Sequence, residues 1–200
     1  MKSLLLILSI LISSQALATS GRAFGLLNTS MSFVDNGKLD AGDDVRYEAD
    51  MEGYGYGVGA EYKLQTNSSG ISFHPGFIYE FQRNVEQVTG VTSGAANSSQ
   101  DSVPKIQMTT IYGNTYFPVT EQISIVGGAS YLIPKVDSSG SFKGYKIEQG
   151  VGFQFGVDFK LQDNFFVQML HREIVLDTKD DAYKGKADLS NLSLLVGKEF

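Results

Sequence analysis

Residues 151–161 read VGFQFGVDFKL, with an apolar residue at every odd position and a small or polar one at every even position. A repeat of two is the period of a β-strand, whose successive side chains leave opposite faces. The same alternation sets Tyr54, Tyr56, Val58, Ala60, Tyr62 and Leu64 against Gly53, Gly55, Gly57, Gly59, Glu61 and Lys63. No stretch of comparable length shows the 3.6-residue apolar period of an amphipathic helix. The pattern predicts eight strands, over 22–34, 51–64, 71–82, 106–118, 122–135, 146–161, 165–177 and 188–200.

The connections alternate in length. Asn67-Ser68-Ser69-Gly70, Thr120-Glu121 and Gln162-Asp163-Asn164 are tight, whereas 35–50, 83–105, 136–145 and 178–187 are longer and polar. In an antiparallel meander this puts short turns at one end and long loops at the other, the layout of a transmembrane barrel. The expected fold class is therefore all-β, a monomeric eight-stranded antiparallel up-and-down barrel over 19–200, with both chain ends on the short-turn side. A closed barrel pairs every backbone group within itself, which hydrocarbon demands.

The two faces of the strands differ in kind. A soluble sandwich would bury the aromatic face and show water Lys, Thr and Glu, but here the opposite face is rich in Gly. The aromatic phase is accordingly expected to meet lipid, through Tyr54, Tyr56, Val58, Tyr62, Phe73, Phe77, Tyr79, Val151, Phe153, Phe155, Val157 and Phe159. Tyr62, Tyr116, Phe117, Phe159 and Phe165 are expected in an interfacial girdle. The inward phase supplies Glu61, Lys63, His74, Glu80, Gln154, Asp158 and Lys160, with Arg172 from the seventh strand. An eight-stranded barrel is narrow enough to be filled by side chains, and unpaired buried charge is costly. The prediction is a lumen closed by an ion-pair and hydrogen-bond network that includes Glu80 and Arg172. The run FFVQMLHREIVLD alternates poorly, and a bulge is expected at residues 171–173.

Composition narrows the compartment. Lys2, the apolar run 4–12 and Ala16-Leu17-Ala18 have the layout of a secretory signal cleaved after Ala18. The chain has no Cys, and the remaining roughly 180 residues suffice for one domain without disulfides. A formal charge of -6 argues against a nucleic-acid partner, which needs a basic footprint. Twenty-two Gly, ten Tyr and thirteen Phe against four Pro favour strands and turns.

Candidate chemistry is sparse. Of the two histidines, His171 opens HREI and His74 sits in SFHPG, neither a recognisable catalytic setting. GYGYGVG lies inside an alternating strand and opens no helix, so it lacks the phosphate-binding mechanism of a dinucleotide loop. Asp35, Asp40, Asp43, Asp44, Glu48, Asp50 and Glu52 gather in the first long loop without EF-hand spacing and are expected to be solvated. No catalytic residue, metal ligand or cofactor is assigned.

The last segment, LSLLVGKEF, alternates Leu192, Leu194 and Val196 and stops on Phe200. With the alternation, the leader and the loop asymmetry, it resembles the small eight-stranded outer-membrane barrels of the OmpX and OmpA-transmembrane-domain type. Lys198 stands where that family usually has an apolar residue. The resemblance implies a bacterial outer membrane, contact with its lipid and lipopolysaccharide, and recognition of Leu192, Leu194, Val196 and Phe200 by the barrel-assembly machinery. Fold does not fix function, and the expected role is an envelope or surface-interaction one, with the polar loops 35–50 and 83–105 as the surface for an extracellular partner. Two alternatives stay open, a small pore and a lipid-modifying barrel enzyme. A deacylase of the latter kind would carry His-x-Ser on a late strand, where this chain has HREI.

Overall fold

The computed structural model describes residues 18–200 except 30–31, 40–41, 43, 51–52, 66–69, 86–87, 93–94, 101–104, 138–143 and 181–182. The expected leader, as far as residue 17, lies outside the described residues. In chain order the strands are β1 (Ala18–Asn28), β2 (Ser32–Leu39), β3 (Asp44–Asp50), β4 (Gly55–Gln65), β5 (Ser72–Asn84), β6 (Val88–Thr92), β7 (Ala95–Gln100), β8 (Lys105–Pro118), β9 (Ile123–Asp137), β10 (Lys146–Ile147), β11 (Gly150–Lys160), β12 (Phe165–Glu173), β13 (Val175–Lys179), β14 (Tyr183–Asp188) and β15 (Asn191–Glu199). Eight of them close a barrel in the order β1-β15-β12-β11-β9-β8-β5-β4, antiparallel at every joint. The strongly alternating segments lie close to where the pattern placed them.

The long connections are more ordered than expected. The segments read as polar loops contribute a second, seven-stranded sheet, β10-β13-β14-β2-β3-β6-β7, over the long-connection end. This canopy is held down by an apolar core. Its Val45, Leu176, Tyr183 and Ala187 bury against Ile106, Met108 and Leu132 from the upper barrel. Short strands such as YKGKAD carry one apolar residue for every charge or two, so each buries only a little, and the barrel rim supplies the rest of the core.

The expected bulge at residues 171–173 is absent. Gln154 faces Arg172, Phe155 faces His171 and Phe153 faces Glu173 in unbroken register, and β15 pairs regularly on the other side. Arg172 simply points inward while His171 and Glu173 point out. A bulge lies instead on β5, where two residues, Phe81 and Gln82, oppose one on β8 between the pairs Glu80–Met108 and Arg83–Ile106. The extra residue reverses the phase of the strand. Below it His74, Ile78 and Glu80 turn inward; above it Arg83 and Val85 are buried and Val85 joins the canopy core.

Candidate functional site

Along β1 the inward side chains run Arg22, Phe24, Leu26 and Asn28, which samples the whole interior: a polar layer, an apolar layer and a second polar layer. The apolar layer contains Phe24, Leu26, Ile78, Val126, Phe166, Leu170 and Leu195. Glycines on the inward phase make room for it. A Cβ on Gly59 would stand 2.4 Å from the Phe24 ring, and one on Gly197 would stand 2.6 Å from Phe24 Cβ.

The lower polar layer, toward the short turns, centres on Arg22. Its guanidinium donates to Asp158 at 3.0 Å, to Glu199 at 3.0 Å and to Glu61 at 3.4 Å, and stands 4.4 Å over the Phe166 ring. Glu61 in turn accepts from Tyr112 at 3.0 Å, from Tyr116 at 2.9 Å and from His74 Nδ1 at 2.9 Å. His74 stacks on Tyr116 with ring centroids 3.9 Å apart, and its Nε2 lies 2.8 Å from Ser72 Oγ. Lys63 reaches Glu199 at 3.7 Å on the rim. A recess of about 30 Å³ remains at this mouth, lined in part by Ser72, His74, Lys63 and Lys160.

In the upper polar layer Arg172 donates to Glu80 at 2.7 Å and to Thr110 at 3.0 Å. Glu80 also accepts from Asn28 Nδ2 at 2.5 Å, and the Ser193 hydroxyl lies 2.5 Å from Asn28 Oδ1 and 2.8 Å from Asn191 Oδ1, with one proton to give to either. Gln154 donates to Asn114 at 2.6 Å. A third polar centre lies in the canopy, where the buried Asp35 carboxylate accepts from Tyr145 and Tyr183 at 2.6 Å each and from Thr178 at 2.9 Å.

Of the seven charged residues expected in the lumen, Glu61, His74 and Asp158 meet around Arg22, with Lys63 at their edge; Glu80 and Arg172 meet above the apolar layer. The interior thus holds two networks separated by apolar side chains rather than the single one expected. Lys160 stands apart. It has the inward phase but is exposed at the mouth, one step beyond the layer that Asp158 occupies. Tyr116, expected in the girdle from its position near a strand end, is instead buried in the lumen, because Thr110, Tyr112, Asn114 and Tyr116 form the inward phase of β8. Asp35 is likewise buried rather than solvated, while Asp44 and Glu48 pair at the surface with Lys38 and Arg46.

Arg22 and Glu199 were missed, although they organise the lower layer. β1 carries Phe24 and Leu26 inward and Ala23, Gly25 and Leu27 outward, so its inward phase is the more aromatic one, the reverse of β4 and β11, and the apolar phase misdirects there. On the outside, Tyr54, Tyr56, Val58, Phe73, Phe77, Tyr79, Val151, Phe153, Phe155 and Phe159 are exposed, and Tyr62 and Val157 are half-buried. Leu192, Leu194, Val196 and Phe200 share the outward phase of the last segment, where the Lys198 ammonium stands 5.3 Å over the Phe165 ring.

The chain matches no protein-family model and no curated protein sequence. Among solved structures it is similar to the outer membrane protein OprG from Pseudomonas aeruginosa, with a TM-score of 0.57 at 15% identity over 92% of this chain and 96% of that one. It is also similar to Neisserial surface protein A, with a TM-score of 0.50 at 12% identity over 89% of this chain and 99% of that one. At such identities the likeness is one of fold, and the fold of this chain is that of the small outer-membrane β-barrels.

Proposed function

We propose that the chain is a monomeric outer-membrane protein of a bacterial envelope, closed to solute flow, which acts by presenting its canopy to a partner outside the cell. The observation that carries this reading is the inversion of the barrel. Its outer surface exposes Phe153 at 61%, Phe155 at 59% and Tyr56 at 57%, while Arg22, Glu61 and Asp158 inside are at most 2% exposed. An apolar surface of that extent needs lipid as its solvent, and the polar and apolar layers packed inside the barrel among the described residues support a lumen filled by side chains.

In this orientation the short turns face the periplasm and the canopy faces outward, toward lipopolysaccharide. Two open recesses mark the junction of canopy and barrel, of about 530 Å³ beside Lys146, Glu148 and Lys179 and about 340 Å³ beside Gln82, Lys135 and Asp137. Their polar linings suit a polar partner, and this role needs no turnover. During biogenesis Leu192, Leu194, Val196 and Phe200 present the outward edge that the barrel-assembly machinery would engage.

The deciding experiment is single-channel recording of the refolded protein in a planar bilayer, after a gel-mobility difference between boiled and unboiled samples has established folding. Silence is the expected result. Reproducible open steps would replace this reading with a small pore.

A further inference from the structure

Ser72, His74 and Glu61 form a hydrogen-bonded chain that the canopy role does not use. Ser72 Oγ lies 2.8 Å from His74 Nε2, and His74 Nδ1 lies 2.9 Å from Glu61 Oε1. The first two share a face because they are two positions apart on β5. Glu61 comes from β4, where it pairs across to Gly76, a residue without a side chain to intervene. Among the described residues the other partners of Glu61, namely Arg22, Tyr112 and Tyr116, all donate to it, so its carboxylate offers His74 Nδ1 only an acceptor. That set puts the imidazole proton on Nδ1 and leaves Nε2 to accept the proton of Ser72. A nucleophile, a base within reach of it and a carboxylate orienting the base are the parts of an acyl-transfer site.

The chain also has access. The recess of about 30 Å³ at the short-turn mouth is bounded by both Ser72 and His74, and Lys63 and Lys160 line the same walls. It has room for about two waters or an acyl group of similar size.

We propose that Ser72 is a nucleophile that accepts small acyl groups from esters entering at the short-turn mouth, with His74 as general base and Glu61 as its positioning residue. Ser72 Oγ bonds to the ester carbonyl carbon as its proton passes to His74 Nε2. The carbon–oxygen bond to the alcohol then breaks, and the alcohol leaves with that proton. Water attacks the acyl-serine by the same route, releasing the carboxylic acid and restoring the hydroxyl. This activity is independent of the canopy and of whether the lumen conducts.

The test is treatment of the refolded protein with methanesulfonyl fluoride, a small probe whose sulfur–fluorine bond breaks as the serine oxygen bonds to sulfur. Intact mass and peptide mapping should find one adduct, on Ser72. Ser72→Ala should abolish it, and His74→Gln, with folding verified by gel mobility, should slow it about 100-fold or more. Hydrolysis of p-nitrophenyl acetate should fall in the same two variants. No adduct on the folded wild-type protein, or adducts scattered over the loop serines at rates indifferent to His74→Gln, would overturn the proposal. The wild-type labelling decides the matter even if a variant fails to fold.

Discussion

Arg172 and Glu80, 92 positions apart in the chain, meet across the lumen with the guanidinium Nη1 2.7 Å from Glu80 Oε1. The Arg172 side chain is 1% exposed and that of Glu80 is 13%. Removing one partner of such a pair strands the other in a poorly solvated interior. Arg172→Ala should therefore destabilise the barrel by about 3 kcal/mol or more. The double replacement Arg172→Met with Glu80→Leu should cost clearly less, since neither charge is left behind. Reversible urea unfolding in lipid vesicles measures both, and equal losses in the single and double variants would show that the pair is not what holds this layer.

The glycines of the inward phase permit a second comparison. A methyl group on Gly59 would meet the Phe24 ring at 2.4 Å and the Phe77 carbonyl oxygen at 2.6 Å, a backbone contact that cannot swing aside. Gly59→Ala should cost about 1–3 kcal/mol through overpacking. Gly25, on the outward phase of β1, has nothing within 4 Å of its would-be Cβ. Gly25→Ala should be neutral or stabilise by up to about 1 kcal/mol, because alanine loses less backbone entropy in a strand. The same unfolding titration ranks the two, and a reversed order would break the assignment of faces.

How much of this architecture is visible in the sequence depends on how asymmetric each strand is. In β4 and β11 one phase is aromatic and the other is Gly-rich or charged, so strand, register and face all follow from alternation. β1 offers Phe24 and Leu26 on one phase and Ala23, Gly25 and Leu27 on the other, and Phe24 and Leu26 turn out to fill the lumen beside the inward glycines. Arg22 was hidden by that reversal. β8 carries Tyr112 and Tyr116 inward and Ile111 and Phe117 outward, so aromatic content alone does not choose a face there. The canopy left almost no trace. Its strands are short and mostly polar, and their apolar residues gain burial only from the barrel rim beneath them, a long-range contact that no local period records. The reactive-looking set Ser72, His74 and Glu61 shows in sequence only as two same-face positions on one strand; the carboxylate arrives through strand pairing.

Phe155 tests the lipid assignment from outside. It sits midway along β11, paired with Gly127 on one side and with His171 on the other, and its ring lies 5.0 Å from the His171 ring. Phe155→Arg should lower the folding free energy by about 2–4 kcal/mol if this level lies near the bilayer midplane. Phe165, beside the short turn, should tolerate the same change at a cost of about 0–1 kcal/mol. Refolding yields of the two variants into vesicles separate the cases, and equal tolerance at both sites would remove Phe155 from the membrane.

Asp35 joins three parts of the canopy through Tyr145, Thr178 and Tyr183, and it sets how the canopy should respond to alkali. Burial first, and then the neighbouring Asp35 carboxylate, push both phenols above the ordinary tyrosine range. A group whose folded pKa is raised contributes stability that is present in full below its unfolded value and is lost as pH rises toward the folded one. For tyrosine the unfolded value is about 10, so the canopy should hold below that pH and loosen progressively above it. The barrel provides an internal control, since its mobility on unboiled gels reports the strands beneath. Limited proteolysis across this range should cut the canopy of the wild-type protein faster as the pH climbs. Tyr145→Phe with Tyr183→Phe should lose about 1–3 kcal/mol of local stability at neutral pH, because Asp35 keeps one donor of three, yet show a flatter alkaline limb. A wild-type canopy whose cleavage rate stays level across that range would mean that the Asp35 cluster does not hold it closed.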